Sequence, residues 1–98
     1  PISFITGYLT DSEGCVHYLL ESYSHKFTAR CVFTCGKLIY PSRNGERCLK
    51  MPNKPIAERL DARAVQCHVG SCHHGNCILD GRTQPCTVPN NKTYPMGQ

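Results

Sequence analysis

The sequence has no tryptophan and only two methionines. No apolar run approaches the ~20 residues that a membrane span needs. The start of the chain, at Pro1, carries neither a basic n-region nor an apolar h-region, so it reads as a mature form. Phosphate loops and calcium loops are absent. Ser71 lies between Gly70 and Cys72 without a Gly-x-Ser-x-Gly frame, which removes the hydrolase nucleophile reading. The seven carboxylates form no motif suited to acid–base work. These absences predict no enzyme, no catalytic residue and no cofactor.

Cysteine, by contrast, is abundant. Eight cysteines stand at Cys15, Cys31, Cys35, Cys48, Cys67, Cys72, Cys77 and Cys86. A chain of 98 residues buries little apolar surface, so cross-links are expected to carry much of the stability. The even count predicts four disulfides and leaves 105 pairings open. Disulfides persist outside the cytosol, which predicts a secreted protein. The run from Cys67 to Cys77 also holds His68, His73 and His74, all residue types that bind zinc. Structural zinc sites favour Cys-x2-Cys knuckles, and the chain has none, so no metal is expected. The three histidines are read as surface residues in turns. A cysteine nucleophile needs a free thiol, and parity leaves none.

The expected architecture is a small disulfide-rich fold, mainly β, with one short α-helix. Residues 1–14 form an N-terminal arm, either edge strand or loose; 15–86 form a single domain; 87–98 form a tail. Residues 15–40 are rich in β-branched, aromatic and aliphatic types and read as strands, interrupted by the polar stretch Glu21 to Lys26. Asn44-Gly45 is a strong turn signal. Pro55 follows Asn53, and Ile56, Leu60 and Ala64 recur at helical spacing, which predicts a helix over 55–64 with that stripe facing the core. Gly70, Gly75 and Gly81 are read as reversals, with Ile78-Leu79 the strand formers nearby. Asp80-Gly81-Arg82 reads as a plain turn. In the tail, Asn91-Lys92-Thr93 makes Asn91 a glycosylation acceptor.

Net charge is +4, and nine of the eleven Lys and Arg lie between Lys26 and Arg63. A basic patch of this kind suits an acidic protein surface or a glycosaminoglycan, but a solvated surface explains it as well. A rigid cross-linked frame with two uncommitted ends suits protein binding, with the arms adding strand-like contacts at an edge.

The cysteine ladder from Cys31 to Cys86 resembles that of the class A evasins, the eight-cysteine chemokine-binding proteins of tick saliva. Cys31-Val-Phe-Thr-Cys35 is similar to the family's Cys-x3-Cys. The turn Asn44-Gly45-Glu46-Arg47-Cys48 and the 18-residue gap before Cys67 also fit. Cys67-His-Val-Gly-Ser-Cys72-His-His-Gly-Asn-Cys77 resembles Cys-x-Val-Gly-x-Cys-x-x-Gly-x-Cys, and the eight residues before Cys86 agree. The resemblance implies sequestration of host chemokines, chiefly the CC type, to suppress leukocyte recruitment. It implies contacts from the segments around the first cysteine and from the tail: Tyr8, Leu9, Thr10, Val16, His17, Tyr18, Val88 and Tyr94. Where the family has an aromatic two residues after its first cysteine, this chain has His17. The arm holds only Asp11 and Glu13 as acids, so in this reading the contacts are expected to be largely backbone and apolar, with an edge strand near Val16 and Tyr18 pairing with an extended segment of the chemokine. The alternative function is inhibition of a plasma cascade, through a complement component or a protease, by the basic central segment. A third reading is a structural module similar to a von Willebrand type C domain. The partner in the first two readings is a host protein; neither nucleic acid nor a membrane span is expected, and the chain is expected to be a monomer.

Overall fold

The computed structural model describes residues 6–52, 64–90 and 92–93. Eight strands make up the described structure: β1 Gly7–Thr10, β2 Cys15–Ser22, β3 His25–Cys35, β4 Leu38–Pro41, β5 Arg47–Lys50, β6 Val65–His73, β7 Asn76–Cys86 and β8 Lys92–Thr93. They form one sheet in the order β7-β6-β5-β3-β2-β1-β8, with β4 paired to β3 alone. No helix occurs among the described residues. The helix expected over 55–64 lies outside them, save for Ala64. That residue is exposed and belongs to no regular element, so it does not face the core as the apolar stripe required.

Four tight connections set the register. Asp11 organises the first: its Oδ1 accepts from the backbone N–H of Glu13 and of Cys15, and Gly14 closes the loop at positive φ. Tyr23 and Ser24 join β2 to β3, and both sit at positive φ, the pattern of a mirror-image hairpin turn made here without glycine or asparagine. Gly36-Lys37 joins β3 to β4, with glycine at the position that needs φ > 0. His74-Gly75 joins β6 to β7.

Two irregularities matter more than the turns. Between the pairs His17↔Phe33 and Leu19↔Thr28, the four residues Ala29–Val32 lie opposite Tyr18 alone. This bulge puts Cys31 at φ 58° and drives it into the interior, where it is fully buried. On β7, Asp80-Gly81-Arg82 bulges opposite Val69, so this tripeptide kinks a strand rather than turning the chain. Gly70 likewise lies inside β6 and reverses nothing. It lets strands close up: a Cβ there would stand 2.3 Å from the Ile78 carbonyl oxygen.

The sheet curls so that Thr87, just past β7, bridges Glu21 on β2 through two backbone hydrogen bonds. Inside the curl lie Leu20, Leu49, Met51, Cys67, Val69 and Cys86, with Phe27, Ala29, Val65 and Val88 packed against them. Fully burying Leu20, Leu49 or Val69 contributes roughly 1.5–3 kcal/mol each. The second cluster is sulfur: Cys31, Cys48 and Cys72, with Cys77 against them.

All eight cysteines are paired, as Cys15–Cys35, Cys31–Cys72, Cys48–Cys77 and Cys67–Cys86. Cys15–Cys35 closes the β2–β3 ladder at its open end, opposite the Tyr23-Ser24 turn. Cys31–Cys72 and Cys48–Cys77 tie β3 and β5 to β6 and β7 and stack on one another.

Candidate ligand-binding face

The β1–β2 ladder sets Tyr8 against Tyr18, Leu9 against His17 and Thr10 against Val16. Strand alternation then divides these six residues between two faces. Leu9 and His17 share one face. Tyr8, Thr10, Val16 and Tyr18 share the other, where the Arg30 guanidinium stands 4.6 Å from the centre of the Tyr18 ring. Lys92 and Thr93 pair in parallel with Leu9 and Thr10, which carries the tail alongside the N-terminal segment. Gly7 makes this approach possible: a Cβ there would stand 2.6 Å from the Pro89 carbonyl oxygen. Val88 packs against the core, which takes most of its surface. Tyr94 and Asn91 lie outside the described residues.

The register also corrects the expected edge. β2 lies between β1 and β3, and β1 between β2 and β8, so the strand that carries Val16 and Tyr18 is an interior one with no open edge. An added strand has no place there.

On the Leu9–His17 face, cross-strand pairing continues through Phe33 and Tyr40. The His17 ring stacks on Phe33 at 4.9 Å, and Phe33 stacks on Tyr40 at 5.7 Å. His17 is held from behind by Asp11: its Nε2 lies 2.9 Å from Asp11 Oδ2. A carboxylate only accepts, so Nε2 carries the proton and donates. The hydrogen bond from His17 is the largest reason the Asp11 carboxyl is held below its ordinary range, followed by the Cys15 N–H. The loop at Asp11, the first disulfide and the aromatic row are thus one rigid unit.

His17 and Phe33 of this row, with Leu19 and Thr28, floor an open groove of about 720 Å³ that residues 42–46 line along one side. The groove wall is stiff for local reasons. Gly45 N donates to Cys72 O, Cys72 N to Glu46 O, and His74 N to Asn44 Oδ1. Arg43 and Glu46 project from it, exposed. Phe33, Tyr40 and the 42–46 loop were not expected at a site. A signal for the aromatics existed: a two-residue turn closed by Cys35 and Leu38 obliges Phe33 to face Tyr40.

Among the described residues of the basic central segment, Lys37, Arg43, Arg47 and Lys50 are exposed. Lys26 meets Glu21 at 3.8 Å, Arg30 lies on Tyr18, and the charge of Arg47 acts on Asp80. Asp80 is held down to about 2, chiefly by the Arg82 side chain that bonds both its oxygens. His68 is half-buried in β6, His73 ends that strand, and only His74 sits in a turn. The one grouping with metal-like spacing among the described residues is Cys31, Cys48 and Cys77. Its sulfurs belong to two disulfides and offer no thiolate. Among the described residues, no helix is long and apolar enough to cross a membrane.

Comparison with known proteins agrees with this architecture. The family model for Evasins Class A matches residues 15–86, so the chain belongs to that family. The crystal structure of Evasin-1 superposes with a TM-score of 0.62 at 20% identity, covering 74% of this chain and 94% of that one. A second structure, the complex between Evasin-1 and CCL3, gives a TM-score of 0.61 at 20% identity, covering 74% of this chain and 83% of that one. At this identity the likeness establishes the shared fold. Comparison with curated proteins finds no sequence match.

Proposed function

We propose that this class A evasin is a secreted salivary protein that captures host chemokines, chiefly of the CC type, and so suppresses leukocyte recruitment. It acts by stoichiometric binding, without catalysis. The observation that carries the reading is the half-exposed row Leu9–His17–Phe33–Tyr40, fixed beside the first disulfide on a fold shared with Evasin-1 in its complex with CCL3. Such a surface suits protein capture. Its aromatic rings are already ordered by stacking and by the Asp11 bond, so little side-chain entropy is lost on association. The adjoining groove supplies a recess for an extended segment of the ligand.

In this reading His17, Leu9 and Tyr40 touch the ligand, Val88 and the tail along β1 border the contact, and Tyr94 is a further binding residue. Tyr8, Thr10, Val16 and Tyr18 act mainly by holding the ladder. Asn91, in the same tail, carries a glycan. The cascade-inhibitor alternative drew on the basic segment, where Arg43, Arg47 and Lys50 are exposed; the family match and the fold shared with Evasin-1 favour the chemokine reading over it.

The test is a chemokine panel read by surface plasmon resonance. The wild type is expected to bind members of the CC class, and His17→Ala to raise the dissociation rate more than it slows association. No binding to any chemokine, together with retention of a complement component or protease from plasma, would move the assignment to the alternative.

A further inference from the structure

The β3–β4 hairpin is the most apolar exposed element among the described residues. Leu38 is 60% exposed, Ile39 67% and Tyr40 41%, three adjacent large apolar side chains open to solvent. β4 pairs with β3 alone, so its other edge is unpartnered among the described residues. The hydrogen-bond phase of that edge follows from the register. Ser42 N donates to Cys31 O, and the pairing sums carry that narrow-pair phase to Tyr40↔Phe33 and Leu38↔Cys35. The backbone groups of Tyr40 and Leu38 therefore point at β3, while Ile39 turns both its N–H and its C=O outward. Pro41, the next outward position, has a carbonyl and no N–H. The edge admits one short partner segment centred on Ile39 and ends there, because proline stops an added ladder from extending.

Charge decides what the segment is. Lys37 and Arg43 bracket the strand, exposed and without an ion-pair partner among the described residues. A second copy of the chain, related by a two-fold axis, would bring Lys37 and Arg43 up against the same charges of its mate, which disfavours it. An extended apolar segment flanked by carboxylates satisfies both features.

We propose that β4 is a second contact element for the captured protein. It takes an apolar, acid-flanked segment of the ligand by strand addition at Ile39, with Leu38 and Tyr40 packing on one side and Lys37 and Arg43 answering the acids. This rests on the chemokine-capture reading and extends it, since Tyr40 joins the hairpin to the His17–Phe33 row. The element sets which ligands are held tightly: those with a matching segment gain it, and others bind through the groove alone.

The experiment compares wild type, L38T/I39T and K37E/R43E against the chemokine panel. Threonine keeps β propensity, so the double variant is expected to melt within about two degrees of wild type. The tightest-bound chemokine is expected to lose about tenfold or more in affinity with L38T/I39T, and its association to slow several-fold with K37E/R43E at low salt. Hydrogen exchange on the wild-type complex gives a readout that needs no variant: the Ile39 amide is expected to slow at least tenfold on binding. A wild type that binds chemokines, with L38T/I39T within twofold of it or with Ile39 exchange unchanged, overturns this inference alone. A wild type that binds no chemokine overturns the functional reading and this inference with it. A wild-type dimer that L38T/I39T converts to monomer assigns the edge to a second copy and overturns it too.

Discussion

The two disulfides Cys15–Cys35 and Cys31–Cys72 span different lengths of chain and occupy different surroundings, which allows a prediction about their relative worth. The sequence separations are 20 and 41 residues. Loop-closure entropy alone gives about 3.3 kcal/mol for the shorter and about 3.9 for the longer, a gap of about 0.6. Burial adds more. Cys31 is 0% exposed and Cys72 1%, and both pack in the sulfur cluster with Cys48 and Cys77. Replacing each with alanine leaves a sulfur-sized void costing about 1 kcal/mol. Cys15 is 8% exposed and Cys35 half-buried at the open end of the ladder, where solvent and small shifts fill the space. C31A/C72A is therefore expected to be less stable than C15A/C35A by about 2.5 kcal/mol. In urea, at a slope of about 1–3 kcal/mol per molar, the midpoints should differ by about 0.8–2.5 M. A C31A/C72A chain unfolded without denaturant is the limit of the same order. Equal midpoints, or the reverse order, would show that burial of the sulfur cluster does not govern stability here.

Three further outcomes follow from the geometry. Gly70→Ala should destabilise by about 2 kcal/mol or more, because its Cβ would meet the Ile78 backbone, which cannot rotate aside; an unchanged thermal midpoint would place β7 farther from β6. Asp80 titrates lower in the folded chain than in the unfolded one, so its contribution is present above about pH 4 and fades as pH falls toward about 2. Asp80→Asn should flatten urea midpoints across that window, and an identical acid slope in the variant would argue against the Arg82 bond in solution. A chelator should leave the melting temperature and ligand binding unchanged, since every cysteine is in a disulfide; a stoichiometric metal surviving dialysis against it would contradict that.

What the sequence made legible was the part encoded in residue type and parity. An even set of cysteines implied complete pairing, β-branched and aromatic runs implied strands through 15–40, and Asn44-Gly45 marked a real turn. What it hid was encoded in backbone irregularity. Tyr23 and Ser24 adopt positive φ although neither is a residue type that favours it, so the polar stretch Glu21 to Lys26 marked the β2–β3 connection without revealing its two-residue turn. The Ala29–Val32 bulge looks like unbroken strand in the letters, yet it alone brings Cys31 inward to meet Cys72. Gly81 resembles a reversal because a bulge and a turn both call for positive φ.

The binding face was half legible for the same reason. The segments flanking Cys15 could be singled out, but membership of a face depends on register, and a one-residue slip exchanges every side chain. Only the ladder reveals that Leu9 and His17 belong with Phe33 and Tyr40, while Tyr8 and Tyr18 belong with Arg30. His17 then acquires a reason for being histidine. An aromatic hydrocarbon ring at that position could stack on Phe33, but it could not accept orientation from Asp11, whose carboxylate also fixes the loop leading into the first disulfide. One imidazole thus couples the loop, the disulfide and the aromatic row. Ligand affinity at this face should therefore depend on Asp11 as well as on His17, even where Asp11 touches no ligand. Asp11→Asn retains an oxygen for the loop N–H groups and weakens the hold on the ring, so it should cost affinity with little loss of stability. A variant that binds as tightly as wild type would show that the ring needs no such support.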